Sequence, residues 1–109
     1  MLLLLDQNVP VGTCELLSDH DVRTAYRMGW AELSNGDLLA AAEAAGFEIL
    51  ISCDQNLLYQ QNLAGRRLSI LVLDTNRWAI IRIRGTEIKR AVSNMAAGSF
   101  ARLLLSSQR

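Results

Sequence analysis

The apolar positions of the chain collect into three short runs, and each run stops at an aspartate. Leu2–Leu5 precedes Asp6, Ile49–Cys53 precedes Asp54 and Leu68–Leu73 precedes Asp74. Short runs that stay apolar instead of alternating predict strands covered on both faces, as in a parallel sheet. In such sheets ligands bind in the crevice beyond the carboxyl ends of the strands. If the three runs are neighbours, one edge of the sheet therefore gathers carboxylates.

The remaining pattern supplies the connections. Val9-Pro10-Val11 leads into a helix through about Leu17, with Pro10 suited to its first turn. Ser18-Asp19 breaks that helix, and His20–Thr24 reads as a shorter, more polar strand nearer an edge. Ala25–Met28 reads as a single helical turn before Gly29. The clearest helix runs from Asp37 to Ala45. Ser34-Asn35-Gly36 gives its start, Leu38, Leu39, Ala41, Ala42 and Ala45 its buried stripe, and Gly46 its stop. A third helix is expected over Asn56–Leu63, ended by Ala64-Gly65, and a fourth from Thr86 to about Ala96 with Ile88, Val92 and Met95 inward. Residues 78–84 fit an alternating strand as well as a helical turn. The fold expected is a single compact α/β domain, with a mostly parallel sheet of about four strands flanked by helices. It spans residues 1–97, and 98–109 form a tail whose Leu103–Leu105 cluster is the basis for expecting a homodimer.

A length of 109 residues suits one domain with a real core. The leading apolar stretch Met1–Leu5 is too short for a membrane span or a signal segment, so a cytoplasmic protein with no membrane partner is expected. Cys14 and Cys53 lack zinc or disulfide spacing and are expected as free thiols. The zero net charge hides an asymmetry. Residues 1–54 carry nine acids against Arg23 and Arg27, and residues 55–109 carry nine bases against Asp74 and Glu87. Such an imbalance suits a nucleic-acid partner, and it equally suits two halves that complement each other within one fold.

The candidate chemistry lies in Asp6, Asn8, Asp37, Asp54 and Asn56. Asp6 and Asp54 end strands, each with an asparagine two residues on, and Asp37 opens a helix. Three carboxylates with amide oxygens suit Mg²⁺ or Mn²⁺, which take hard oxygen ligands. Each aspartate taken singly also suits a helix cap or a helix dipole.

These segments resemble a known family. Asp6-Gln7-Asn8-Val9-Pro10 resembles the opening "D-E-N-L-P" of compact PIN-like proteins, relatives of VapC toxins. His20-Asp21-Val22 is similar to their "G-H-D-V" strand, Asp37–Ala42 to their "D-x-x-I-x-x-x-A" helix, and Ile51–Leu57 to their "V-x-T-x-D-x-D-F" segment. The resemblance covers about residues 1–77. It implies a metal-dependent ribonuclease, the toxin of a toxin–antitoxin pair, with Asp6, Asp37 and Asp54 as catalytic residues holding Mg²⁺ or Mn²⁺. It also implies an RNA substrate contacted by Asn8, Asn56, Arg66, Arg67 and Arg77, and a cognate antitoxin protein as partner. Asn56 stands where the family has a second acid, so a weakened module that binds RNA or a protein without cutting is the alternative. An aspartate-nucleophile phosphohydrolase ranks last, because Asn8 occupies the place of its second aspartate.

Overall fold

The computed structural model describes residues 1–57 and 65–106. Five strands form one wholly parallel sheet: β1 (Leu2–Leu5), β2 (Asp21–Thr24), β3 (Ile49–Ser52), β4 (Ser69–Leu73) and β5 (Phe100–Leu103), in the order β2-β1-β3-β4-β5. The three apolar runs are its three central strands. Their registers align Leu4, Leu50 and Ile70 across the middle. Alternate side chains then serve two cores, as a doubly covered sheet requires. Leu3, Leu5, Ile49, Ile51, Leu71 and Leu73 enter one core, and Leu4, Leu50, Ile70 and Val72 enter the other.

The helices divide between those two faces. The first core is closed by α1 (Thr13–Leu16), α3 (Trp78–Ile81) and α4 (Gly85–Asn94) through Leu16, Ile81, Ile88 and Val92. The second core is closed by α2 (Asn35–Ala44) through Leu38, Leu39 and Ala42, with Phe47 behind it. The sequence explains both ends of α2. Ser34 caps the start by accepting a bond from the Asp37 N–H. At the stop, Gly46 takes a φ of +87°, and the Gly46 and Phe47 N–H groups return to the Glu43 and Ala42 carbonyls. These two bonds make a Schellman motif, and they deliver Phe47 into the core against Trp30, ring centroids 5.9 Å apart and edge-on.

Two elements depart from the expectation, and the open reading at residues 78–84 resolves to the helical turn. The first helix shrinks to Thr13–Leu16, flanked by turns. Residues 78–84 are helical where they are regular: the Ile81 and Arg82 N–H groups bond to the Arg77 and Trp78 carbonyls. Ile81 is fully buried while Ile83 is 66% exposed, although alternation would put both on one face. The segment read as a tail carries the fifth strand. Gly98 makes the turn into it, at φ +72° with its Cα against the Arg66 carbonyl, where a Cβ would approach to 2.6 Å. Leu105 is buried in the first core and Leu103 is partly packed against it, so Leu104 is the one exposed member of the leucine cluster. The helix expected over Asn56–Leu63 lies, from residue 58 on, outside the described residues. Among the described residues, no helix is long and apolar enough to cross a membrane.

The chain's two charge halves meet in space. Among the described residues, Lys89 pairs with Asp19 at 3.0 Å and Arg66 with Glu43 at 3.7 Å, each joining a base of the second half to an acid of the first.

Candidate functional site at the carboxyl ends of β1 and β3

The strand order fixes where a crevice opens. From β1 the chain first winds outward to β2, then crosses back to place β3 on the other side of β1. The winding direction therefore reverses between β1 and β3, and the connections leaving their carboxyl ends part there. Asp6 follows β1 directly, and Cys53-Asp54 follows β3.

Ser52 ties these two strand ends together. Its hydroxyl, fully buried, donates to Asp6 Oδ2 at 2.8 Å and accepts the Asp54 N–H at 3.1 Å. Asn8 adds a second bridge. Its Oδ1 accepts the Cys53 N–H at 2.9 Å, and its Nδ2 lies 3.4 Å from the Ser52 hydroxyl. Asn8 is thus occupied in joining the two loops. Asp6 is only 8% exposed, and its second oxygen accepts the Gln7 N–H at 2.8 Å. Asp54 accepts the Asn56 N–H at 3.0 Å on Oδ1 and the Asn35 side chain at 2.9 Å on Oδ2. The last bond draws the start of α2 to the edge. Asn56 is itself exposed, and its backbone rather than its side chain makes this contact.

The edge is electronegative. Burial, reinforced by the Asp6 and Asp74 carboxylates, pushes the Cys53 thiol up to about 12, so it stays protonated at neutral pH and donates to the Thr75 carbonyl at 3.4 Å. Asp74 itself faces the C-terminal segment. Its carboxylate accepts bonds from the Leu105 N–H, the Ser106 N–H and the Ser106 hydroxyl, at 2.7 to 3.3 Å. Partial burial raises the Asp74 pKa, but the Ser106 and Leu105 bonds and nearby Arg102 outweigh it and hold the carboxyl below its ordinary value.

A depressed folded-state pKa contributes stability above the unfolded value, and that contribution is lost as pH falls through the folded value. Asp74→Asn is therefore expected to lower the melting temperature near pH 7, by a difference that shrinks as pH falls through the depressed folded-state value. A melting difference that persists unchanged in acid would contradict this role.

The other expected site residues divide between the two ends of the sheet. Asp37 is exposed in the first turn of α2, two residues beyond Asn35 and so on another side of that turn. Among the described residues, no three Asp, Glu, His or Cys side chains are grouped to hold a metal ion. Arg77 is exposed just beyond β4, on the carboxyl side, where its N–H bonds to the Thr75 hydroxyl. Arg66 and Arg67 precede β4 and so lie at the amino ends of the strands, away from Asp6 and Asp54. Arg66 pairs there with Glu43, and Arg67 lines a cavity of about 340 Å³ with Met1, Glu43 and Glu48.

Sequence reasoning missed the residues that border Asp6. A groove of about 940 Å³ is lined by Asp6 and Gln7 after β1, by Cys14 and Glu15 of α1, and by Arg23, Tyr26 and Arg27 from β2 and the turn after it. It also missed Ser52, although a hydroxyl inside a fully buried strand demands a partner and is itself a signal.

Hard-oxygen chemistry fits what is present. Each of the four Asp6 and Asp54 carboxylate oxygens accepts one bond from the protein, and each retains acceptor capacity. Mg²⁺ commonly takes one or two carboxylates and completes its shell with waters and substrate phosphate. Compared with protein-family models, curated proteins and solved structures, the chain found no match.

Proposed function

We propose that the carboxyl edge of β1 and β3 is the centre of a Mg²⁺- or Mn²⁺-dependent endoribonuclease of PIN-like type, acting in the cytoplasm as the toxin of a toxin–antitoxin pair. The observation that carries the reading is the joining of Asp6 and Asp54 through Ser52 at the point where the winding of the sheet reverses. The resemblance of these same segments to PIN-like motifs supports the RNA substrate, the antitoxin partner and the toxin role.

In this reading Asp6 and Asp54 hold the ion, and exposed Asp37 adds negative charge at the first turn of the helix that Asn35 anchors. A bound divalent ion supplies a water of lowered pKa and neutralises charge on the phosphate. Ser52 and Asn8 keep the two aspartates in place, and preorganisation of this kind removes reorganisation from the chemical step. A carboxylate oxygen not engaged by the ion can accept the proton of the attacking water. Arg77, exposed on the same side of the sheet, is placed to meet the RNA backbone.

The test is incubation of the purified chain with unstructured RNA in Mn²⁺, in Mg²⁺ and in excess chelator. Internal cleavage that needs the ion is the expected result. Intact RNA under all three conditions would overturn the reading.

One observation favours a second reading. All four carboxylate oxygens already have protein donors, as in a purely structural network. A weakened module would bind RNA with a steep salt dependence, or a protein partner, without turnover.

A further inference from the structure

We propose that Tyr26 and Arg27 form a nucleotide-holding lip on the groove beside Asp6, which makes the substrate a single strand entered from the β2 edge. The inference deepens the nuclease reading and rests on it.

The turn after β2 is built to present these side chains. The Arg27 N–H bonds to the Thr24 hydroxyl and the Met28 N–H to the Thr24 carbonyl, so the turn closes on itself directly after the strand. Ala25 points into the second core, fully buried, and its N–H bonds to the Leu5 carbonyl, one residue before Asp6. With Ala25 anchored inward, Tyr26 is left outward at 78% exposure, the most exposed large hydrophobic side chain among the described residues. Both Tyr26 and Arg27 line the same groove as Asp6.

The charges are arranged for a polyanion. Arg23 and Arg27 are the two bases of the acidic first half, and both line this groove. Arg23 is held by Asp21 at 3.0 Å, whereas Arg27 has no ion pair among the described residues. The lining acids Asp6 and Glu15 come from the end of β1 and from α1, and Arg27 comes from the turn after β2. A backbone following the Arg27 side would bring a phosphate toward Asp6 while a neighbouring base stacks on the Tyr26 ring. Stacking on an exposed aromatic ring tolerates any base but needs one that is unpaired.

The experiment uses the Asp6→Asn chain in excess chelator, conditions in which the RNA is expected to stay intact, and follows fluorescence anisotropy of a labelled, unstructured oligoribonucleotide and of a blunt duplex of the same sequence. The single strand is expected to bind more tightly than the duplex. Adding Tyr26→Ala should weaken single-strand binding about tenfold, the loss of one stacking contact, while Tyr26→Phe retains it. Adding Arg27→Gln should reduce the slope of log affinity against log salt by about one phosphate contact. Equal or tighter duplex binding, unchanged affinity in Tyr26→Ala, or no RNA binding at all would overturn the proposal. The nuclease reading fails separately. If the parent chain cuts no RNA with Mn²⁺ while Tyr26-dependent binding is present, the lip stands and the catalytic assignment falls. If the parent cuts RNA and Tyr26→Ala leaves KM unchanged, the lip falls and the catalytic assignment stands.

Discussion

Asp6→Asn is expected to lower ion-dependent RNA cleavage by on the order of 10³-fold, the scale reached when one preorganised electrostatic group is taken from a transition state. The substitution keeps the size of the side chain but removes its charge and half of its acceptor character. The Ser52 hydroxyl would then face an amide in place of the Oδ2 it now donates to at 2.8 Å. Ser52 also receives the Asp54 N–H, so the disturbance reaches the second carboxylate through one atom. Asp37→Asn is expected to cost less, because no hydrogen bond among the described residues links exposed Asp37 to this network. If the chain acts as a toxin, growth arrest on expression should disappear in Asp6→Asn alongside the cleavage. Equal cleavage rates for parent and Asp6→Asn would remove Asp6 from the chemistry.

The largest effect on stability is expected at Leu50. It is fully buried at the centre of β3, with Leu4 on one side and Ile70 on the other. Leu50→Ala removes buried carbons from a site where strands on both sides restrict collapse, so a loss of about 3 kcal/mol is expected. For a domain of this size that corresponds to a fall in Tm of about 15 °C. Ile83→Ala makes the control. Ile83 is 66% exposed, and a change within about 0.5 kcal/mol is expected there. Thermal melts of both variants decide the matter, and equal shifts would contradict the assignment of the core.

The legible part of the fold was the part written in unmixed hydrophobic runs. Leu2–Leu5, Ile49–Ser52 and Ser69–Leu73 are wholly or largely apolar because both their faces are covered, and a short run without alternation leaves no polar face to turn toward water. Gly46 marked the end of α2 because only a residue tolerant of positive φ closes that motif cheaply. Edge elements were harder to read. Phe100–Leu103 is only partly covered, with Ala101 and Leu103 against the first core and Phe100 against the second, and it carries exposed Arg102, which bonds to Gln55 across 47 residues of sequence. No local pattern announces such a strand, since its partner β4 supplies the reason for it.

The candidate site was legible to the same degree. Asp6 and Asp54 follow strands, so they could be placed at one edge from topology alone. Arg66 and Arg67 precede a strand, and in a parallel sheet that puts them at the opposite edge, a consequence the spacing already contained. Ser52 as the bridge and Tyr26 as the groove's exposed ring depend on side-chain directions that periodicity does not resolve.

Titration of the metal-free chain with Mn²⁺, read by calorimetry or by the resonance of the free ion, tests the central claim directly. Saturable binding by the parent, lost in both Asp6→Asn and Asp54→Asn while their melting curves stay cooperative, is the predicted result. A parent that takes up no Mn²⁺, or variants that bind it as the parent does, would contradict the assignment of this strand edge as a cation site.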